Sequence, residues 1–197
     1  MKVMSALLIA IISTNLCAQE DPKKKFPLEF EWQNGIATEK TKNINDYFLL
    51  LPSEFIDCEG AQFGQYSTKQ KREKIISKID QKNGYLQFYK TGQLVLFKDR
   101  KNNKDIIAIQ SGRCGAGNTC GALNTLLEFQ DSTWIFRIDL LPDGKRIEDL
   151  YYDDDTCPYF DLPQYGTTIL IKNEWGDDSI ITRYKWTKQK FVNSNHQ

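Results

Sequence analysis

The residues here whose types suit chemistry are two glycine-flanked cysteines, a cluster of acids and a single histidine. In IAIQSGRCGAGNTCGALNTLLEF, residues 107–129, Cys114 and Cys120 lie among Gly112, Gly115, Gly117 and Gly121, between two apolar runs of strand character. A zinc site wants C-x-x-C pairs or histidines, and the only histidine is His196, second from the end. A dinucleotide fingerprint wants G-x-G-x-x-G opening a helix, whereas these glycines have other spacings and a strand pattern follows. A thioredoxin-type redox pair wants two residues between its cysteines, not five. The remaining reading is a disulfide that fixes the shape of a loop.

The acids cluster in EDLYYDDDTCPYFD, which brings Glu148, Asp149, Asp153, Asp154, Asp155 and Asp161 together with Tyr151, Tyr152 and Tyr159. Two carboxylates in a cleft act as acid and base in glycoside hydrolysis. Oxygen ligands from one loop also suit calcium, with Asp153, Asp155 and Asp161 as the candidates. The EF-hand pattern is absent, because no glycine stands at its turn position and Gln164 is twelfth counting from Asp153. The simplest reading is a solvated acidic loop beside Cys157. With one histidine at position 196, Ser-His-Asp, Cys-His and histidine–metal chemistry have no support, and no cofactor is expected.

These residues are positioned by a chain that reads as mainly β. FPLEFEW predicts a half-buried strand carrying Leu28, Phe30 and Trp32 on one side, with Pro27 marking an edge. NINDYFLLLP suits a short helix or a strand, with Asn45 or Asp46 as the cap and Pro52 as the stop. STKQKREKIISKI, Ser67 to Ile79, predicts a helix capped by Ser67 or Thr68 with Ile75, Ile76 and Ile79 as its stripe. From Gly84 onward, strands recur about every ten residues: a hairpin around Thr91-Gly92, then DIIAIQ, ALNTLLEFQ and STWIFRID. PDGKRIEDLYY starts with a turn and has room for one turn of helix, and the tail adds YGTTILIKN, SIITRYKW and TKQKFV. Connections this short require antiparallel pairing. About eight strands and one or two short helices are expected, arranged as an antiparallel meander, a sandwich or part of a propeller. Trp134 and Trp186 fall on apolar faces, whereas Trp175 sits at a hairpin tip.

Residues 1–18, MKVMSALLIAIISTNLCA, have the layout of a secretory signal peptide: Lys2, an apolar run too short to span a bilayer, and small Ala18 before the cleavage point. A lipoprotein signal ending at Cys17 is less favoured, because Leu16 is not small. Residues 19–25, QEDPKKK, read as a flexible lead-in, and 26–197 as one mainly β domain. Removing Lys2 leaves 25 basic against 26 acidic residues, so no general field for nucleic acid exists, and no transmembrane segment is expected in the mature chain. The basic clusters Lys69-Lys71-Arg72-Lys74 and Lys98-Arg100-Lys101-Lys104 read as solvated faces.

Export leads to an oxidising compartment, where the four mature cysteines Cys58, Cys114, Cys120 and Cys157 are expected to pair. Three connectivities are possible. Cys114 with Cys120 is the most economical, because the flanking strands bring the loop ends together, and Cys58 with Cys157 then follows. Chain entropy assigns a loop of about 100 residues on the order of 4–5 kcal/mol and one of about seven on the order of 2. The long bridge would serve stability and the short one loop shape.

From Tyr47 to Val192, the succession LLLPSEF, NGYLQF, the Cys-Gly loop, LLEFQDSTW, LPQYGTT and YKWTKQKFV resembles exported proteins of Gram-negative bacteria that have no assigned activity. The resemblance implies export to the periplasm or beyond and a β fold, and carries no catalytic motif. The function expected from the sequence is a non-catalytic binding module that presents the disulfide-held loop to an envelope protein or a glycan. Arg113 and Asn118 would reach out from the loop, with Tyr151, Tyr152 and Trp175 as aromatic contacts. A carboxylate-dependent glycan hydrolase, or a calcium-binding structural protein of the envelope, is the alternative.

Overall fold

A computed structural model describes residues 24–40, 42–57, 63–112, 123–151, 155–175 and 178–194. Eleven strands and four short helices are found among them. The strands are β1 Lys25–Pro27, β2 Ile76–Asp80, β3 Tyr85–Phe88, β4 Gly92–Asp99, β5 Lys104–Ser111, β6 Leu123–Gln130, β7 Thr133–Phe136, β8 Pro158–Asp161, β9 Thr168–Asn173, β10 Ile180–Trp186 and β11 Phe191–Asn193. The helices are α1 Gln33–Ala37, α2 Ile44–Leu50, α3 Lys69–Lys74 and α4 Ile147–Tyr151.

Every pairing is antiparallel, in a seven-stranded sheet ordered β1-β7-β6-β5-β4-β3-β2 and a four-stranded sheet ordered β11-β10-β9-β8. The mainly β, antiparallel meander expected from the strand spacing is thus the architecture. The central strands of the large sheet are buried on both faces. Ile107, Ile109, Leu127 and Trp134 pack with Tyr47, Phe48 and Leu50 of α2 on one side. Ile106, Ala108 and Leu126 pack with Phe160, Ile171, Tyr184 and Trp186 of the small sheet on the other. Burial on both faces accounts for the unbroken apolar run in DIIAIQ, where a half-buried strand would alternate. Trp134 and Trp186 are core residues, and their indole nitrogens donate to the carbonyls of Leu50 (2.8 Å) and Lys98 (3.1 Å).

The N-terminal strand is shorter than its alternation predicts. β1 begins one residue inside the expected lead-in, at Lys25, and ends at Pro27 on the sheet edge, so Phe30 and Trp32 lie in a turn. The cause is Gln33, a buried amide whose Oε1 accepts from the backbone of Glu29 (2.9 Å) and Phe30 (3.1 Å) while its Nε2 donates to the Leu49 carbonyl (3.0 Å). Pairing the backbone with a side chain substitutes for a strand ladder here.

The helix expected over Ser67–Ile79 is only α3, six residues long with Thr68 as its cap, and Ile76 onward is β2. Isoleucines 75, 76 and 79 match helical spacing, but β-branched side chains favour the strand that pairs Ile76 with Phe88. α2 is a helix, and its cap is Asn43, two residues before the nearer candidate. The Asn43 side chain accepts from the Asn45 and Asp46 amides, and Asp46 returns a carboxylate to the Asn43 N–H, completing a capping box. Ile138, expected at the end of a strand, opens a 3-10 turn, Ile138–Leu140.

Arg72 corrects a further expectation. It belongs to the cluster read as a solvated face, yet it is completely buried. Its guanidinium donates to the carbonyls of Tyr66, Leu49 and Leu51 and lies 5.5 Å from the ring centres of Phe30 and Trp32. Burial pulls it down to about 10, with Glu29 acting in the opposite direction, so it stays charged at neutral pH.

Candidate lysine cleft

The β4–β5 hairpin ends in a turn organised by Asp99. Its carboxylate accepts from the Lys101 and Asn102 amides (3.1 Å each) and from Asn102 Nδ2 (2.7 Å), and the Asn102 side chain is the main reason the group sits below the usual carboxylate range. Asn103 takes a left-handed φ of 52°, a conformation asparagine tolerates better than most residues. The turn places Lys98 opposite Asp105 and Lys104 opposite Asp99 in the ladder.

Beside this hairpin end opens a cleft of about 490 Å³, lined by Lys40, Lys42, Lys98 and Lys104, with Tyr47, Phe129, Asn102, Asn103 and Gln130 completing the wall. Asp105 and Glu128 are its carboxylates, and each of their four oxygens already accepts from a donor. Asp105 takes Lys98 Nζ (2.8 Å) and the Tyr47 hydroxyl (2.8 Å). Glu128 takes Lys104 Nζ (2.7 Å) and the Arg137 guanidinium, which also grips Asp139 at 2.9 Å through two nitrogens. Lys98 and Lys104 are therefore neutralised locally. Lys40 and Lys42 pair with no carboxylate among the described residues; Lys42 bonds the Glu39 carbonyl and lies 5.8 Å from the Phe129 ring centre. The cleft thus carries an excess of positive charge beside an aromatic ring. Burial, reinforced by the Asp105 carboxylate, pushes the Tyr47 phenol far above its ordinary range, so it acts only as a neutral hydrogen-bonding group.

The opposite end of the same strands roots the Cys-Gly loop. Ser111 pairs with Leu123, so the ends of that loop are adjacent, as the flanking strands imply. Gln110 Nε2 donates to the Gly112 carbonyl (2.7 Å). Asn124 accepts from the Phe160 N–H (2.7 Å) and donates to Glu148 Oε1 (2.9 Å), tying the root to β8 and α4. About seven residues of strand separate Lys104 from Ser111, a distance of roughly 23 Å. The cleft and the root of the loop thus occupy opposite ends of the central sheet.

Of the residues singled out in the sequence, Cys58, Arg113, Cys114, Asn118, Cys120, Tyr152, Asp153, Asp154 and His196 lie outside the described residues. Cys157, the one described cysteine, is fully buried, and its backbone N–H donates to Asn173 Oδ1 at 2.9 Å. Tyr151 is half-buried on the second core, its hydroxyl 3.1 Å from that of Tyr184. Trp175 sits at the turn after β9, 39% exposed. Asp161 is ion-paired with Lys172 at 2.6 Å, while Asp155 is exposed and its carbonyl accepts from Asn173. Among the described residues no three His, Cys, Asp or Glu side chains form a metal-binding group. No described helix is long and apolar enough to cross a membrane.

Lys40 and Lys42 escaped the reading of the sequence because they sit some sixty residues from the hairpin they face. Lys98 and Lys104 were visible as a cluster. Their convergence on a cleft follows only from the hairpin register. No family model, curated protein or solved structure matches the chain.

Proposed function

We propose that this is an exported, non-catalytic binding module whose ligand is a glycan bearing acid groups, held in the lysine cleft. The observation that carries this reading is the uncompensated pair Lys40 and Lys42 beside Phe129, in a cleft whose own carboxylates are already satisfied. An incoming carboxylate, sulfate or phosphate meets two ammonium groups that hold no ion pair among the described residues, Lys42 giving up only its bond to the Glu39 carbonyl. The Phe129 face offers contact to a sugar ring, and Asn102, Asn103 and Gln130 offer amides to its hydroxyls. No acid–base pair of carboxylates stands open in the cleft, which favours binding over hydrolysis.

A second surface is the Cys-Gly loop, which would meet an envelope protein or a glycan, and the bonded loop root at Gln110 and Asn124 supports it. One calorimetric experiment separates the two. With galacturonate oligomers as the probe, Lys40→Ala/Lys42→Ala should weaken binding at least tenfold at low salt. Cys114→Ser/Cys120→Ser should bind unchanged, since the cleft lies at the other end of the sheet. Loss of binding only in the cysteine variant would transfer the function to the loop. A wild-type protein that ignores every acidic glycan would end the reading.

A further inference from the structure

A second cleft, of about 460 Å³, meets the first at Lys104, Glu128 and Gln130 and continues past Ile135 and Arg137 to Lys25 on the edge strand. The strand register shows why these side chains line up. Lys25 is opposite Ile135, and Ile135 is opposite Glu128, so the three share one face of the large sheet. Glu128 is in turn opposite Ile106, and Lys104, two residues before it, projects to that same face. Tyr47, Asp105 and Phe129 belong to the other face, against α2. The combined groove therefore wraps around the ends of β5 and β6, from one face of the sheet to the other. Three strand spacings separate β1 from β5, or about 14 Å across the ladder.

Along this path stand six cations, Lys25, Lys40, Lys42, Lys98, Lys104 and Arg137, against three carboxylates, Asp105, Glu128 and Asp139. The whole chain has zero formal net charge, so this excess is local. A single acidic sugar would need only the first cleft. Cations placed at both ends, with the neutralised Lys104–Glu128 pair and the apolar Ile135 between them, suit a chain with acid groups at intervals.

We propose that the two clefts form one binding path for a polyanionic glycan several residues long, anchored at Lys40 and Lys42 and extending to Lys25. This rests on the lysine-cleft reading and specifies the ligand as a polymer. Favourable contacts added one residue at a time should appear as affinity that climbs with chain length until the path is filled.

The test is a calorimetric series with α-1,4-linked galacturonate oligomers of one to eight residues, at low salt, on the mature protein. Affinity should rise with length and level off. Lys25→Ala should lower octamer affinity about three- to tenfold and leave the dimer unaffected, while Lys40→Ala/Lys42→Ala weakens every length. If monomer and octamer bind equally, or Lys25→Ala changes nothing, the path is overturned although the cleft survives. If no oligomer binds, both fail. Tighter binding of a DNA oligomer of equal charge would overturn the glycan assignment. Should Lys25→Ala not fold, amide shift mapping of the wild type with the octamer replaces it: perturbation at Lys25 and Ile135 supports the path, and perturbation confined to the first cleft overturns it.

Discussion

Arg72 Nη2 lies 3.4 Å from Glu29 Oε2 across 43 residues of sequence, and the same Glu29 oxygen accepts from the backbone (2.8 Å) and hydroxyl (2.6 Å) of Ser53. Arg72 thereby fastens the chain after β1, the end of α2 and the start of α3 to one point. Its charge is tolerated without solvent because carbonyls and a carboxylate surround it.

Replacing Arg72 by alanine removes the donors to Leu49, Leu51 and Tyr66 and leaves a void. The expected loss is roughly 3–5 kcal/mol, read from urea denaturation. A loss under about 1 kcal/mol would show that water substitutes for the guanidinium and that the node is dispensable.

Glu148 supplies a dependence on pH. Its side chain is 23% exposed, yet Oε2 itself is buried and has no hydrogen-bond partner; the nearest cation is Arg146 Nε at 3.5 Å. Burial holds this carboxyl above its ordinary range, with Asn124 and Arg146 pulling the other way. The folded protein thus binds this proton more readily than the unfolded chain does. Its stabilising effect is full below the unfolded value near 4.5 and is lost as pH rises through the higher folded value. Glu148→Gln should therefore raise stability by about 1 kcal/mol at pH 7, with the gap closing below about pH 4. Thermal denaturation from pH 3 to 8 checks this, and a gap that does not narrow on acidification would refute it.

Gly84 enters β3 with a φ of 64°, and a Cβ built there would stand 2.9 Å from Leu96 Cβ. Its carbonyl also accepts from the Leu96 N–H at 2.8 Å, so the backbone has little freedom to move away. Gly84→Ala should cost roughly 1–3 kcal/mol from strain and contact together. An unchanged melting temperature would mean that this turn relaxes freely.

The strands from Tyr85 to Val192 were legible because each is a compact apolar run closed by turn residues, and consecutive runs pair locally. The core positions of Trp134 and Trp186 follow from that pattern alone, as does a hairpin near Thr91-Gly92, although its turn is Tyr89–Thr91 and Gly92 already pairs with Phe88. The segment before Gly84 was less legible. There, helical and strand periods overlap in Ile75, Ile76 and Ile79, and the buried side chains Gln33 and Arg72 replace backbone pairing with bonds to distant carbonyls.

The antiparallel β character and the local hairpins are written in the order of residues, since alternation and turn chemistry act over short range. The lysine cleft was decided only by tertiary structure. Lys40 and Lys42 meet Lys98 and Lys104 because α2 packs over the face of the central sheet that carries Phe129, and no short-range pattern records that packing. Charge acts through space, so four scattered lysines become one site only when the core brings them together.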